Sequence, residues 1–204
     1  PIAIPIRRPE MMLEGGGFDI VSGDVSPSVE DGTDFGLVDI AADDSSVSHT
    51  FTIYNRGDLD LELTGSPDAV RISGSNAFNV WPQPTGPVVA GSEKDVGITF
   101  DPTVPGAHSA TVSIANSDSS VNPYTFEIRG TAGTSGDLYV DDTAGQGANN
   151  GTSWANAYLE LQPALDAAVE GATVHVAAGT YVPTGQPGSD TDTEVVISDD
   201  AGEA

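Results

Sequence analysis

Short runs of alternating apolar and polar residues recur between about residue 49 and residue 128, separated by Gly, Pro, Asn and Asp. The run SATVSI (109–114) alternates cleanly and stops at an Asn-Ser-Asp turn, and YTFEI (124–128) alternates again. Alternation with period two is the signature of a β-strand with one buried face. The runs predicted as strands are 49–54, 60–63, 69–72, 78–81, 96–100, 109–114 and 124–128. Their number and close spacing predict an antiparallel β-sandwich.

The first eight residues, PIAIPIRR, form a separate pattern. In an extended strand, Ile2, Ile4 and Ile6 would share one side. Pro1 and Pro5 lack an amide donor, so such a strand could pair along one edge only. Two interpretations stay open: a linker, or a donor strand that docks onto a neighbouring sheet and drives assembly.

Several stretches of the sandwich region carry a family resemblance. They are GDVSPSVEDGTDFG (23–36), FTIYNRGDLDLELTG (51–65), ITFDPTVPGAHSATVSIAN (98–116) and NPYTFEIRGTA (122–132). Together they resemble the immunoglobulin-like domain called choice-of-anchor D, which is related to the domains shared by ASPM, SPD-2 and hydin. The resemblance implies a repeated, non-catalytic module of large bacterial surface and secreted proteins, and it supplies no active site.

The pattern changes after a small-residue linker at 131–136. A short strand at 138–140 precedes a polar loop, and apolar residues at helical spacing predict a helix within 154–169. Pro163 suits the first turn of that helix and Gly171 suits its C-terminal cap. Further strands are predicted at 173–176, at 179–182 and at 194–198.

The phrases NNGTSWANAY, LQPALDAA and VHVAAGTYVPT resemble the amino-terminal cap of pectate-lyase-like right-handed parallel β-helices. The resemblance implies that the helix closes the end of a coil whose first rung begins at VHVAAGTY. A β-helix stacks several rungs of about 20–25 residues, and this sequence supplies about one. We therefore expect either a fragment or a coil that stacks on another molecule.

These patterns divide the chain into four parts of a mainly β protein. An extended segment (1–9) precedes an immunoglobulin-like antiparallel β-sandwich (10–132), and a linker (133–136) leads to an incomplete β-helix-like cap module with one short helix (137–204).

Composition narrows the classes of partner. The chain has 6 Lys and Arg against 31 Asp and Glu, a formal charge of −25, so it repels nucleic acid and anionic lipid. It has no cysteine, which excludes disulfides and thiolate sites, and no apolar run long enough to insert in a membrane. High Gly, Thr, Ser, Asp and Asn with little Lys is typical of extracellular or cell-surface bacterial proteins.

The acidic loops of the sequence are candidate sites for metal binding. Asp141 and Asp142 lie beside a glycine-rich loop that can offer backbone carbonyls, which suits Ca²⁺ better than other ions. The spacing is not that of an EF-hand. No cofactor is predicted with certainty, and this pair is the better Ca²⁺ candidate among three acidic loops. The other two loops contain Asp24, Glu30, Asp31 and Asp34, and Asp190, Asp192 and Glu194. The alternative is that the carboxylates are simply solvated.

Catalytic chemistry is disfavoured. His49, His108 and His175 are far apart and show no ligand spacing, and no Arg or Lys follows Arg129. A sugar lyase needs a base and cations to stabilise its enolate, so we expect no enzyme and no catalytic residue. Trp154 and Tyr158 could stack on sugar rings, or could pack within the cap.

Three functions follow from these observations. The first is a non-enzymatic structural subunit of a bacterial surface assembly or filament, a homo-oligomer or polymer joined by strand donation or β-stacking. The second is an adhesive or carbohydrate-binding module that recognises surface glycans. The third is a fragment of a β-helix enzyme that degrades polysaccharides. The first is preferred.

Overall fold

The structure is a computed structural model that describes residues 7–43, 45–145 and 147–181, together with the backbone of Val196–Ser198. The chain separates into two compact units. The first takes in the chain up to Gly36, Ser46–Asp101 and His108–Gly130, and the second takes in Leu37–Ser45, Pro102–Ala107 and the chain from Thr131 onward. Ile2, Ile4 and Ile6 lie outside the described residues, as do residues 182–195, so the strand predictions at those positions stay predictions.

Nine strands build the sheets of the β-sandwich. They are β1 (Met11–Gly15), β2 (Phe18–Ile20), β3 (Asp34–Asp39), β4 (Val47–Asn55), β5 (Val70–Gly74), β6 (Phe78–Val80), β7 (Glu93–Phe100), β8 (Gly106–Ile114) and β9 (Tyr124–Gly133). One antiparallel sheet has the order β2-β1-β4-β7-β6, and the other sheet has the order β3-β9-β8-β5. This architecture confirms the predicted antiparallel β-sandwich.

Aromatic side chains from both sheets fill the core of the first unit. Phe51 of β4 and Phe126 of β9 place their ring centroids 5.4 Å apart, and Phe78 stacks on Phe100 at 4.8 Å. Phe51, Phe100 and Phe126 are each no more than 1% exposed. Burying one such side chain stabilises the fold by about 1.5–3 kcal/mol. The apolar positions of the alternating runs therefore contribute much of the stabilising burial.

The structure adds strands that the alternating runs did not indicate. β1 and β2 form a hairpin in which Gly15 pairs with Phe18 across Gly16 and Gly17, whose φ values are 58° and 84°. Positive φ at both central residues is the geometry that twists a two-residue hairpin correctly, and glycine adopts it without strain. The Gly15–Gly17 triplet was therefore a readable turn signal for a hairpin that the sequence analysis did not predict.

The strand predicted at 60–63 is wrong. Leu61 and Leu63 form only isolated bridges, with Val88 and Asn116 respectively. Because the segment changes partner within two residues, it never follows one neighbour long enough to become a strand. Leu61 is nonetheless fully buried, so the apolar side chain was correctly assigned to the core.

Two buried polar side chains organise the loops of the first unit. Asn55 accepts hydrogen bonds from the backbone amides of Glu10 and Gly57, and it donates to the carbonyls of Leu59 and Val88. Its amide is thus fully satisfied although the residue is 0% exposed. A buried amide with every bond made holds three chain segments together, and losing it would leave several backbone groups unpaired.

Asp118 has the same role elsewhere in that unit. Its carboxylate accepts hydrogen bonds from the amide of Met11 at 3.0 Å and from the amide and hydroxyl of Ser120 at 3.0 and 2.6 Å. Burial by itself raises the pKa of the Asp118 carboxyl, but these hydrogen bonds outweigh it and hold the pKa below its ordinary value of 3.8. The charged carboxylate therefore stabilises the fold.

The second unit contains a parallel sheet. Its strands are β10 (Asp137–Val140), β11 (Thr173–Val176) and β12 (Val196–Ser198), in the order β10-β11-β12. Helix α1 (Leu161–Ala167) follows a single 3₁₀ turn at Trp154–Asn156. One face of β10 and β11 packs with this helix into a small core that consists of Leu138, Val140, Tyr158, Ala164, Ala167, Ala168, Ala172 and Val174.

The helix predicted within 154–169 is shorter than expected. Between the 3₁₀ turn and α1 the chain is extended, and Tyr158 forms a parallel bridge with Val140. The amide of Tyr158 donates to the carbonyl of Tyr139, and the amide of Asp141 donates to the carbonyl of Tyr158. Pairing with β10 therefore overrides the helical pattern in this stretch. Pro163 lies in the first turn of α1, as predicted, while Gly171, at φ 92°, belongs to a later turn.

The segment predicted as a linker is paired backbone. β9 extends to Gly133, whose carbonyl accepts from the amide of Ile40, and the amide of Thr134 donates to the carbonyl of Ala167. The amide of Val169 in turn donates to the carbonyl of Thr134. The small residues of this segment belong to ordered, hydrogen-bonded backbone, so the segment is not a flexible linker. The domain boundaries drawn from the sequence stay a prediction.

We predict that replacing Asp118 with Asn makes stability less dependent on pH. Because the folded pKa lies below the unfolded one, the charged carboxylate stabilises the fold above about pH 3.8, and this contribution is lost as the pH falls through the folded pKa. Urea unfolding at pH 7 should show Asp118→Asn less stable by about 1–3 kcal/mol, with the difference shrinking in acid. The exposed Asp43→Asn change is the control, and a pH-independent difference would contradict the prediction.

The second prediction contrasts Tyr158 and Trp154, two aromatic residues of the second unit. Tyr158 is 8% exposed and belongs to the core of the second unit, whereas Trp154 is 40% exposed. Tyr158→Ala should lower the free energy of unfolding by about 3 kcal/mol or more, because it leaves a cavity. Trp154→Ala should cost about 1 kcal/mol, the scale of one aromatic contact. Equal losses in thermal or urea unfolding would show that the burial difference is wrong.

Candidate functional site

The two acidic residues predicted to bind metal directly follow β10. The Asp141 carboxylate accepts hydrogen bonds from the amide and hydroxyl of Thr143 at 2.8 and 2.7 Å, which closes a local turn. The Asp142 carboxylate accepts from the amide of Thr180 at 3.3 Å, and the Asp142 amide donates to the hydroxyl of Tyr181 at 3.2 Å. The pair therefore ties the start of one loop to the chain that leaves β11.

This arrangement does not yet amount to a metal centre. Ca²⁺ takes six to eight oxygen ligands. Within the described ranges, no group of three or more His, Cys, Asp or Glu side chains could hold an ion. Asp141 and Asp142 each have an intramolecular hydrogen-bond partner in the structure. The Ca²⁺ hypothesis for this pair stays a prediction.

The outer face of the parallel sheet carries a row of rings. Tyr139 of β10 pairs in register with His175 of β11, and their rings stack with centroids 5.0 Å apart at an angle of 17°. Trp154 meets Tyr139 edge to face at 4.9 Å. His175 Nε2 also lies 3.6 Å from Asp137 Oδ1. The sequence analysis singled out Trp154, considered His175 only as an isolated histidine and did not mention Tyr139 as a site residue.

Tyr158 belongs to the opposite, buried face. It packs beside Leu138 and Val140, and burial raises the pKa of its phenol. Of the two uses considered for Tyr158, its burial agrees with packing inside the unit and not with stacking on a sugar ring. Of Trp154 and Tyr158, only Trp154 is accessible, and its neighbours in the accessible row are Tyr139 and His175.

One edge of the parallel sheet is closed by the chain itself. The amide of Tyr139 donates to the carbonyl of Gly151 at 3.0 Å, and the Tyr139 carbonyl accepts from Tyr158. Gly151 has φ 72°, and a Cβ there would lie 2.4 Å from the Tyr158 ring, so only glycine fits this close approach. The polar loop and the turn after it thus protect β10 from further pairing.

The other edge of that sheet is formed by β12. Thr173 of β11 pairs with Val196 and His175 pairs with Ser198, in parallel register. Val196 therefore follows its paired neighbour Thr173 by 23 residues in the sequence. Among the described strands, none pairs with the far edge of β12.

The three histidines do not assemble into a site. His49 lies on β4, with its Nδ1 2.6 Å from the carbonyl oxygen of Gly32 and its ring stacked on Phe35. His108 lies on β8, with its Nδ1 2.8 Å from Ser75 Oγ. Ser75 Oγ also accepts from the amide of Ala77, which closes a turn. These contacts give each histidine a local structural role.

The few basic side chains are engaged within the protein. The ammonium of Lys94, the single lysine, donates to the carbonyls of Thr85, Gly86 and Pro87, and Arg129 pairs with Asp34 at 2.8 Å. Arg7, Arg56 and Arg71 likewise contact Asp58, the Tyr54 ring and the Ser66 carbonyl. Asp and Glu outnumber Lys and Arg by 31 to 6 in the sequence, so the net charge is strongly negative. None of the helices in the described ranges has the length and apolar character needed to cross a membrane.

Solved structures to which this chain is similar come from several organisms. A protein of unknown function from Porphyromonas gingivalis W83 shares 18% identity at a TM-score of 0.43, with 64% of this chain and 50% of that chain covered. The ASH/PapD-like domain 7 of human CEP192 shares 11% identity at a TM-score of 0.40, with 66% and 94% covered. The secreted serine protease VesC from Vibrio cholerae shares 18% identity at a TM-score of 0.35, with 48% and 21% covered.

The chain thus spans about half the length of the Porphyromonas protein and about a fifth of VesC. No curated protein matches the chain. A protein-family model, the HYDIN/CFA65/VesB-like Ig-like domain, matches residues 28–131, which include β3 to β8 and most of β9. This agrees with the immunoglobulin-like domain expected from the sequence motifs, and the chain belongs to the HYDIN/CFA65/VesB-like family of Ig-like domains.

Proposed function

We propose that the chain is a non-enzymatic structural module of a bacterial extracellular surface assembly or filament, joined to its neighbours by backbone pairing at β-strand edges. Its Ig-like domain serves as the spacer and its second unit as the capped start of a parallel β-coil. Extracellular location is part of this proposal and rests on the composition, with 24 Gly, no Cys and a charge of −25.

The observation that carries the proposal is the asymmetry of the parallel sheet. On the β10 side, the residues around Gly151 and Tyr158 use the outward backbone groups, so nothing more can pair there. On the other side, β11 pairs in parallel register with β12, whose residues follow their partners by 23 positions in the sequence. A sheet that is closed at one edge and continued at the other is suited to directional stacking, which is how repetitive β-structures bury their faces.

The absence of suitable cations supports a non-enzymatic role. In the whole sequence, no Lys or Arg follows Arg129, so a second unit acting on acidic sugars would have no cationic side chain to stabilise a developing enolate. The one histidine of that unit, His175, stacks on Tyr139. Cleavage of a polysaccharide would require groups from outside this sequence.

A second candidate function is glycan binding. It is favoured by the exposed ring of Trp154 beside Tyr139, since CH groups of sugars pack on aromatic faces. Such a module would act as an adhesin, and surface glycans would be its ligands. Binding to a glycan array that is lost in Trp154→Ala, with assembly unchanged, would favour this function over the structural one.

Assembly of the purified chain is the direct test of the structural role. Sedimentation velocity across a wide concentration range, with negative-stain microscopy, should detect species larger than the 20.8 kDa chain whose fraction grows with concentration. Trp154→Ala is the control, because the change removes an exposed ring and leaves the backbone edges intact. A dispersed monomer at every concentration would contradict the proposal.

The Ca²⁺ hypothesis has its own measurement. If Asp141 and Asp142 bind Ca²⁺ in the folded state, millimolar Ca²⁺ should raise the melting temperature, since a ligand bound only by the native state stabilises it. The double change Asp141→Asn and Asp142→Asn should abolish that rise. Mg²⁺ at the same concentration controls for ionic strength, and an equal rise with Mg²⁺ would argue against a Ca²⁺ site.

A further inference from the structure

A groove separates the two edge strands at one side of the β-sandwich. β6 ends the five-stranded sheet and β5 ends the four-stranded sheet, and the space between them measures about 380 Å³. Val70 and Phe78 are buried at its floor, while Ile72 and Val80 are half-buried at its sides. The groove thus combines these apolar side chains with the polar residues Asp68, Arg71, Asn79 and Gln83, and it opens where both sheets end.

The edge strands direct backbone groups away from their own sheets. On β6, the amide of Trp81 donates to Gly97 and the carbonyl of Ala77 accepts from Asp101. Alternate residues of an antiparallel strand face opposite edges, so Phe78 and Val80 present their amides and carbonyls outward.

β5 presents its backbone in the same way. The carbonyl of Ala69 accepts from the amide of Ala115, and the amide of Ser75 donates to the carbonyl of Ser109. By the same alternation, Val70 and Ile72 face outward from β5. Both walls of the groove therefore offer peptide groups as well as apolar side chains.

Gln83 shows what this edge can accept. Its side-chain amide donates to the carbonyl of Val70 at 2.7 Å and accepts from the amide of Val70 at 3.1 Å. These are the two hydrogen bonds that a neighbouring strand would make. Gln83 therefore takes the place of a strand at Val70, and it does not cover the next outward-facing residue, Ile72.

Trp81 is the second unusual feature of this region. It directly follows β6 and is 82% exposed, the highest value among the large apolar side chains of the described residues. Exposed tryptophan is uncommon without a function, and tryptophan is enriched among the residues that dominate binding energy in interfaces. A strand laid along β6 would lie next to this ring.

The segment PIAIPI has the chemistry that such a groove requires. In an extended strand, Ile2, Ile4 and Ile6 would share one side and direct their amides to one edge, while Pro1 and Pro5 lack the donors that the other edge would need. The segment would therefore pair on one side only. Six extended residues span about 20 Å, which exceeds the length of the three-residue β6.

Charge is consistent with a second copy of this chain as the source of that strand. Residues 1–6 carry no charged side chain, whereas the chain as a whole carries a charge of −25. Two copies of so acidic a chain repel each other, and an uncharged apolar strand is a part that can contact the other copy without adding to that repulsion.

We propose that the groove between β5 and β6 accepts residues 1–6 of a second copy of this chain, which pair with the outer edge of β6 and bury their isoleucines against Ile72 and Val80. This inference rests on the proposed structural function and names the acceptor site for it. Each chain then has one donor and one acceptor on different parts of its surface, so the contact is head-to-tail and propagates into a filament.

Two single substitutions in the full chain test the donor and the acceptor separately. Ile4→Asp places a charge in the donor strand, and Val80→Asp places one in the groove. Each variant alone should sediment as a monomer, and an equimolar mixture should stop at a dimer, because only one intact donor–acceptor pair remains. Ile4→Val and the exposed Val89→Asp, outside the groove, are the controls and should assemble like the parent chain.

The outcomes distinguish the two proposals. If the parent chain assembles and Ile4→Asp and Val80→Asp assemble equally well, the groove is refuted while the structural function stands. Should Val80→Asp fail to fold, Trp81→Ser, at an exposed position, replaces it and should weaken assembly at least tenfold. If the parent chain stays monomeric, the structural function fails, and the groove is then tested by peptide binding.

For that test, a synthetic PIAIPIRR peptide is added to the full-length Ile4→Asp variant. Shifts of the Ile72, Val80 and Trp81 amide signals, absent with PIADPIRR, would support the acceptor site. No shift would overturn it. A monomeric parent chain whose groove amides are already protected from exchange, in contrast to Ile4→Asp, would place the chain's own segment in the groove and overturn the second-copy assignment.

Discussion

Backbone amides and carbonyls at the edges of sheets must find partners, and much of this structure follows from how they do so. A strand at an edge leaves half of its peptide groups facing outward, where they bind water or another chain. In the second unit, the loop that ends at Gly151 and the extended stretch at Tyr158 satisfy β10. In the first unit, one glutamine side chain satisfies a single residue of β5. The outward-facing groups of the remaining edge strands are where another strand could pair.

The same demand explains the buried polar side chains. Asn55 is the last residue of β4 and Asp118 lies in the loop between β8 and β9, and both accept hydrogen bonds from backbone amides. Each supplies acceptors to two segments that are far apart in sequence, so each loop is fixed by a side chain and its conformation becomes part of the fold. The long connections of a sandwich can then be irregular without leaving unpaired groups in the interior.

Local alternation was enough to predict most of the β-sandwich, because β4, β7, β8 and β9 each bury every second side chain. Prediction from local alternation failed where the structure of a segment depends on the strand with which it pairs. Residues around Tyr158 have helical spacing but pair with β10, and the segment at Leu61 has strand spacing but changes partner. The Ig-like family was readable from separated motifs, whereas the hairpin of β1 and β2 needed its glycine turn to be recognised.

The candidate sites were harder to predict than the fold. Tyr139 and His175 are neighbours only because parallel strands far apart in sequence fall into register, and no local pattern contains that register. The groove between β5 and β6 depends on the order of strands in two different sheets, and Gln83 has no feature in the sequence that marks it as a strand substitute. By contrast, the exposure of Trp154 and the loop position of Asp141 and Asp142 do not depend on strand order or register, because they are set mainly by residues nearby in the sequence.

The step from β11 to β12 also has a mechanical meaning. Thr173 and its partner Val196 are 23 residues apart in sequence but lie about 5 Å apart across the sheet, whereas 23 residues fully extended span about 75 Å. If a load separated the two strands, the distance between these residues could therefore grow roughly fifteenfold. Such a pairing gives way abruptly once the load exceeds its strength, and it would thereby limit the force that is passed along the chain.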